Sequence, residues 1–547
     1  MGLLGIGLHG AVAWLVFLPF LWVSLRPVLA EAKAGPTTPA TQGGAGYALL
    51  MLAALVLFRW PLFFLPFALD PDEDQFIAGA LTLLRDGAFW RSLDGQTAGP
   101  LIYYALVPLG ADGLSSYAGA RMVSCGLIFG ALWFTYRGLR AVWGEALARV
   151  GVLPACCFLA CTLDQAFVHY ASEDFAIFLL AAGLAGVLTV MGDERSFRLG
   201  SPAWLGAGFA LGAVPFTKLQ AMPPAAVIFV GALAWALTRP GLTRGRRWQA
   251  AGSLMAALWV VPLAFAAMIT ASGAWESFWR SYIVDNLNYL DQTMAMARTI
   301  SLWDYLTTSR RFGVFAASAV VAIMILARRW RRPSPALAWP VGLVVAMALA
   351  SLPFTLITRR YTHYLLFLVI PLTLLAAMAV ALRGTDFARQ RAWWALLVLM
   401  VLPQVGLRGL RSNGLIHLTQ AGPVSPGPLA REILRHAGPG DSLSIWGWHA
   451  EAHVQTGLPQ GTSNSNAASQ LTPGPDQAYF LRRYVDELER NRPRVFVDAV
   501  GRVPRAVEFT DRSRHAHERF PELRDYIAQH YEQQAEVEGA RVYRRRP

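Results

Sequence analysis

Apolar runs of bilayer-spanning length alternate along this chain with short connections that carry most of its charge. The first run, from Leu3 to Leu25, has no positive lead-in and is too long for a signal peptide, so it predicts a membrane helix. A Gly/Pro/Thr/Ala linker follows over 26–46. Further spans are predicted at about 47–69, 116–136, 147–163, 174–191, 202–216, 221–237, 250–271, 311–327, 337–356, 363–382 and 393–411. Between the second and third spans, Asp70 to Tyr104 opens with four carboxylates in five residues and continues with helical apolar spacing at Phe76, Ala80, Leu83 and Leu84. It closes at Gly99-Pro100 on LIYYALVPLGA (101–111 with its Pro), which is too short to cross and suits a surface position. After Arg411 the pattern changes. Helix-like segments at 431–437, 478–491 and 522–531 alternate with strand-like ones at 442–448 and 494–500, then two alternating runs close the chain, predicting a small α/β domain.

Composition agrees with a polytopic α-helical membrane protein of about twelve spans. The chain is 55% hydrophobic and only 15% charged, with 19 Trp among 547 residues. Its net charge of +13 does not point to nucleic acid, because the arginines concentrate in alternate loops. Arg137 and Arg140, Arg195 and Arg198, Arg239 to Arg247, Arg328 to Arg332, and Arg383, Arg389 and Arg391 all become cytoplasmic under one topology. That topology places 70–115, Asp164 to Asp174, Lys218, Ser272 to Tyr305, Arg359 to His363 and everything after Arg411 outside. The four cysteines, Cys125, Cys156, Cys157 and Cys161, lie in apolar runs without partner ligands and read as small core residues.

The polar residues of that outer face are the candidates for chemistry. Asp72, Glu73 and Asp74 in the first loop, and Glu173 and Asp174 in the second, are acids able to take a proton. Lys218, Arg359, Arg360 and His363 are cations or donors at span ends, suited to a phosphate. Lys218 reads equally as a lysine snorkelling from a helix end. Arg359 and Arg360 run against the charge bias and call for an anionic partner. Asp94, Tyr103, Tyr282, Asn286 and Tyr289 are candidate sugar or acceptor contacts, or part of an interfacial aromatic belt. Trp446, Trp448, His449, Glu451 and His453 resemble a metal cluster only loosely, and a structural role is the better reading.

Asp72-Glu73 followed by Phe76 resembles the acidic motif of GT-C fold glycosyltransferases, among them the protein O-mannosyltransferases and lipid A aminoarabinose transferases. Gly99-Pro100-Leu101 with Tyr103-Tyr104 is similar to the segment that closes their first loop. Ser172-Glu173, Thr217-Lys218, Tyr361-Thr362-His363-Tyr364 with Pro371, and SIWGW (444–448) resemble later positions in order. The resemblance implies transfer of a hexose or pentose from a polyprenyl-monophosphate donor to a glycan, lipid or protein acceptor. Asp72 would be the general base, with Glu73 orienting it, and neither a cofactor nor a metal would be required. It further implies a bacterial inner-membrane protein with its active site and C-terminal domain in the periplasm, and no nucleic-acid partner. The expected domains are an extra helix and linker (1–46), the catalytic membrane domain (47–411) and the α/β domain (412–547). Thr97-Ala98 stand where a basic residue often precedes the loop-closing Pro, which shifts phosphate binding to Lys218, Arg359 and Arg360. A lipid-linked sugar flippase would instead place charges in mid-span, and an oligosaccharyltransferase using a diphosphate donor would require a metal.

Overall fold

The structure, a computed structural model, describes residues 3–34, 44–111, 116–192, 200–289, 301–327, 335–356, 361–382, 394, 397–398, 400–405, 424–501 and 508–547. It is a multi-pass membrane protein, mostly helical, with a small C-terminal sheet. Among the described residues, seven helices are long and apolar enough to cross a bilayer. An eighth span results if Leu302–Thr308 and Arg310–Ile325 count as one; they meet at a bend of 109°. Glu145–Cys161, Pro202–Ala213 and the apolar part of Pro335–Leu356 are helical as expected but shorter. Most of the expected span 393–411 lies outside the described residues.

The chain divides into two compact units. The first comprises Met1–Leu62, Ser124–Phe265 and Leu290–Ala421 and is a helical bundle. Its helices approach closely where small residues line a face. Gly208 and Gly212, one turn apart, leave room for the backbone of Leu254 and Leu258 on the helix Arg244–Ser272. The last turn of Glu145–Cys161 carries carbonyls that no helical amide can reach. Buried Arg59 donates to Leu159 O and Phe167 O, both at 2.9 Å, and Arg311 donates to Cys161 O. Guanidinium groups thus cap a buried helix end, where the helix dipole also favours cations. The four cysteines are all buried, at 0–1% exposure, which fits their reading as core residues.

The second unit comprises Phe63–Val123, Ala266–Tyr289 and Gly422–Pro547. The helix Gly44–Phe63 stops short of the expected 47–69 span, because Phe64 to Leu69 are not helical. Helicity resumes at Pro71, a residue that needs no amide partner in a first turn, with Asp70 Oδ1 accepting from Asp72 N at 3.0 Å. Arg121, fully buried, holds this turn. It donates to the carbonyls of Leu65 (3.0 Å) and Phe67 (2.6 Å) and bidentately to Glu73 (3.0 and 2.7 Å). The alternation expected after Arg411 is realised as a four-stranded sheet. Its strands are β1 (Leu443–Trp446), β2 (Val495–Asp498), β3 (Tyr531–Val537) and β4 (Ala540–Arg545), in the order β1-β2-β4-β3. The β1–β2 pair is parallel and the others antiparallel. Val495 and Val497 face one core with Leu443 and Ile445; Phe496 faces the other with Trp446 and Tyr543. Burial on both faces explains why β2 opens with three apolar residues, Val495 to Val497, without alternation.

Replacing Arg121 by Ala leaves the Glu73 carboxylate buried without its counter-charge and two carbonyls without their donor. The variant is expected to lose about 3–5 kcal/mol of stability, measured by unfolding in detergent. The paired change Glu73→Leu/Arg121→Met should recover much of that loss.

Candidate functional site

Three consecutive carboxylates begin the helix Pro71–Arg85, and the helical turn sends each in its own direction. Glu73 is wholly buried against Arg121 and also accepts from Leu69 N at 2.9 Å. Asp74 is buried and accepts from the Tyr117 hydroxyl at 2.5 Å. Asp72 is only half-buried and accepts from Gln75 Nε2 at 3.4 Å. A file of amides continues from there. Asn466 Nδ2 donates to Gln75 Oε1 (3.1 Å) and Gln96 Nε2 donates to Asn466 Oδ1 (3.2 Å), tying Asp72's neighbour to the first loop and the C-terminal domain.

The other first-loop candidates pack nearby in the same unit. Tyr103 is buried, edge-on to Phe76 with centroids 5.3 Å apart, and Gly79 leaves room for its ring. Burial, then the charges of Asp72 and Asp94, hold its hydroxyl well above the ordinary phenol range, so it stays a donor. Asp94 Oδ2 accepts from Arg483 Nη1 at 2.9 Å, and Arg483 also pairs with Glu487. Tyr282 is buried against Trp90, and Asn286 is buried with its amide on Tyr282 O. Tyr289 is partly buried.

The second-loop acids and later cations meet within the first unit. Lys218 sits between two one-turn 3-10 segments, Val214–Phe216 and Leu219–Ala221, so the helical run is broken at the residue that carries the charge. Its buried amine pairs with Glu173, donates to Ser172 Oγ at 2.8 Å and lies 4.5 Å from the centre of the Tyr364 ring. His363 stacks on Tyr361 (5.4 Å) and meets Tyr364 and His169 edge-on. Asp174 is buried and accepts from Ala171 N at 3.1 Å. Arg359 and Arg360 lie outside the described residues.

Sequence reasoning missed Arg121, an arginine inside an apolar run, although its place beside an acidic loop was a signal. It also set aside Trp448, His449 and Glu451. The structure keeps Trp446 and His453 in the core, the former donating to His515 O at 2.8 Å. Trp448, His449 and Glu451 instead line a cleft of about 320 Å³ with Asp70 and Asp74. One further cluster, Asp498, His517 and Glu518, has the ligand spacing for a metal. Arg541 pairs with both of its carboxylates, so a guanidinium already supplies the positive charge there.

No family model and no curated relative matches the chain. Among solved structures, ArnT from Cupriavidus metallidurans bound to undecaprenyl phosphate superposes with a TM-score of 0.58, covering 92% of this chain and 98% of its own, at 13% identity. Its apo form gives a TM-score of 0.54 at 14% identity, with the same coverage. The fold is GT-C. At such low identity the likeness shows the fold alone and not any run of residues.

Asp285 supplies a pH test of the second unit. Burial, then the charges of Asp94 and Asp476, push its carboxyl from 3.8 up to about 7. The folded protein then binds more protons than the unfolded one between those values, so stability falls as pH rises from about 4 to 7. Asp285→Asn is expected to flatten that slope and to stabilise the protein above pH 7, read from melting temperatures across pH.

Proposed function

We propose that this chain is an integral-membrane glycosyltransferase that moves a sugar from a polyprenyl-monophosphate donor to an acceptor on the outer, periplasmic face of a bacterial inner membrane. The observation that carries the reading is the division of labour among the three carboxylates of the first loop. Glu73 and Asp74 are buried on Arg121 and Tyr117, while Asp72 keeps contact with solvent at a helix start held rigid from below. A fixed, partly exposed carboxylate is what a general base requires. The GT-C fold supports the reading, as does the undecaprenyl phosphate held by ArnT, the structural neighbour.

In this mechanism Asp72 accepts the acceptor's proton as the acceptor oxygen or nitrogen attacks the anomeric carbon. The bond from that carbon to the phosphate oxygen breaks, and its electron pair leaves on the phosphate. Lys218, Arg359, Arg360 and His363 neutralise the departing charge. Glu173 and Ser172 hold the Lys218 amine in one place, and Asp174 fixes the start of the helix behind them. Glu73 orients Asp72 through the shared first turn. Asp94, Tyr103, Tyr282, Asn286 and Tyr289 are the proposed contacts for the sugar or acceptor. A divalent metal is not expected in this step.

Purified protein in lipid discs, given a panel of undecaprenyl-phosphate hexoses and pentoses, tests this. Asp72→Asn is expected to lower transfer by about 10²–10⁴-fold without changing the melting temperature, and a chelator should leave wild-type turnover intact. Full activity in Asp72→Asn would remove that residue from the mechanism.

A further inference from the structure

A cleft of about 690 Å³ opens in the second unit, apart from the acids at the start of the Pro71–Arg85 helix. Three chain segments build it: Trp90 and Arg91 of the first loop, Ser272 to Arg280 beyond the helix Arg244–Ser272, and one side of the helix Gln477–Asn491. Five arginines line it, against three carboxylates.

Those arginines divide by what already holds them. Arg483 is buried and fixed by Asp94, Glu487 and the Trp90 carbonyl, so it forms part of the wall. Arg280 pairs with Glu276 and Asp476, and its guanidinium lies 4.7 Å from the centre of the Tyr479 ring. Arg91 pairs with Asp86 outside the cleft. Arg482 makes no ion pair among the described residues, and the nearest carboxylate to Arg490 is Glu487 at 4.0 Å, beyond hydrogen-bond reach. Two turns apart on one helix, these two guanidiniums face the cleft without a bonded carboxylate. Planar guanidinium forks match phosphate oxygens in pairs. The rim locates the cleft as well. It begins where a helix of bilayer length ends, and Trp275 and Trp279, one turn apart beside it, are 48% and 59% exposed. Exposed Trp next to a span end marks the headgroup layer.

We propose that this cleft binds a phosphate-bearing ligand at the membrane surface, with Arg482 and Arg490 closing on the phosphate and Tyr479 and Arg280 forming one wall. The ligand is a phosphorylated saccharide or a phospholipid headgroup. The site does not depend on the transfer reaction, because it is read by binding alone.

The test uses full-length protein in phosphatidylcholine discs, without donor, and titrates glucose 6-phosphate and dihexanoyl phosphatidylglycerol calorimetrically. At least one is expected to bind, more weakly as salt rises. Arg482→Gln/Arg490→Gln should weaken that binding at least tenfold. Arg514→Gln/Arg519→Gln, which removes two exposed arginines away from the cleft, should change it less than twofold. Binding of the sugar phosphate assigns a saccharide ligand; binding of the phosphatidylglycerol alone assigns a lipid. Failure of the wild type to bind either, or equal losses in the two double variants, overturns the proposal.

Discussion

Between the end of one bilayer-length helix at Phe63 and the start of the next helix at Pro71, the backbone has no secondary structure to satisfy it, and Arg121 does so instead. One guanidinium takes two carbonyls of the irregular stretch and both oxygens of Glu73. An unpaired carbonyl or carboxylate here would be costly, since the site is sealed from water. The direction in which Asp72, Asp74 and Gln75 leave the helix is set by this anchor. The opening turn of the first loop owes its shape to an ion pair between its own Glu73 and Arg121, 48 positions on.

The same economy recurs in the first unit. Arg59 and Arg311 cap the end of Glu145–Cys161, and Lys218 rests on Glu173 at a break between two short turns. The two arginines sit where a helix stops, because there the backbone offers unfilled carbonyls and the dipole favours a cation, whereas the lysine is held by a carboxylate and a hydroxyl. Charged residues within this fold therefore mark helix ends as much as they mark chemistry. Lys218 does both jobs in the proposed mechanism: it is held by structure before it meets a phosphate.

Hydropathy made the membrane class, the order of helices and the α/β pattern after Arg411 readable without a structure. Period and polarity decide those features, and both are local. Helix ends were read less well. The second span was drawn on to 69 because Phe64 to Leu69 are apolar, while the structure breaks the helix at Phe63 with carbonyls turned to Arg121. Asp72 and Glu73 are adjacent in sequence, and spacing alone did not tell them apart; the family resemblance gave them separate roles, and the structure gives them different burial and partners. Trp448, His449 and Glu451 acquire meaning from a cleft they share with Asp70, a neighbour more than three hundred positions away. Such pairings are tertiary facts, invisible to spacing.

The cysteines carry a practical consequence. All four thiols are sealed inside helices, so water-borne thiol reagents have no native target on the folded chain. A single cysteine placed in any loop would be labelled alone, from whichever side of the bilayer it faces. The chain thus comes with a silent background for mapping its own sidedness, and no native thiol has to be replaced first.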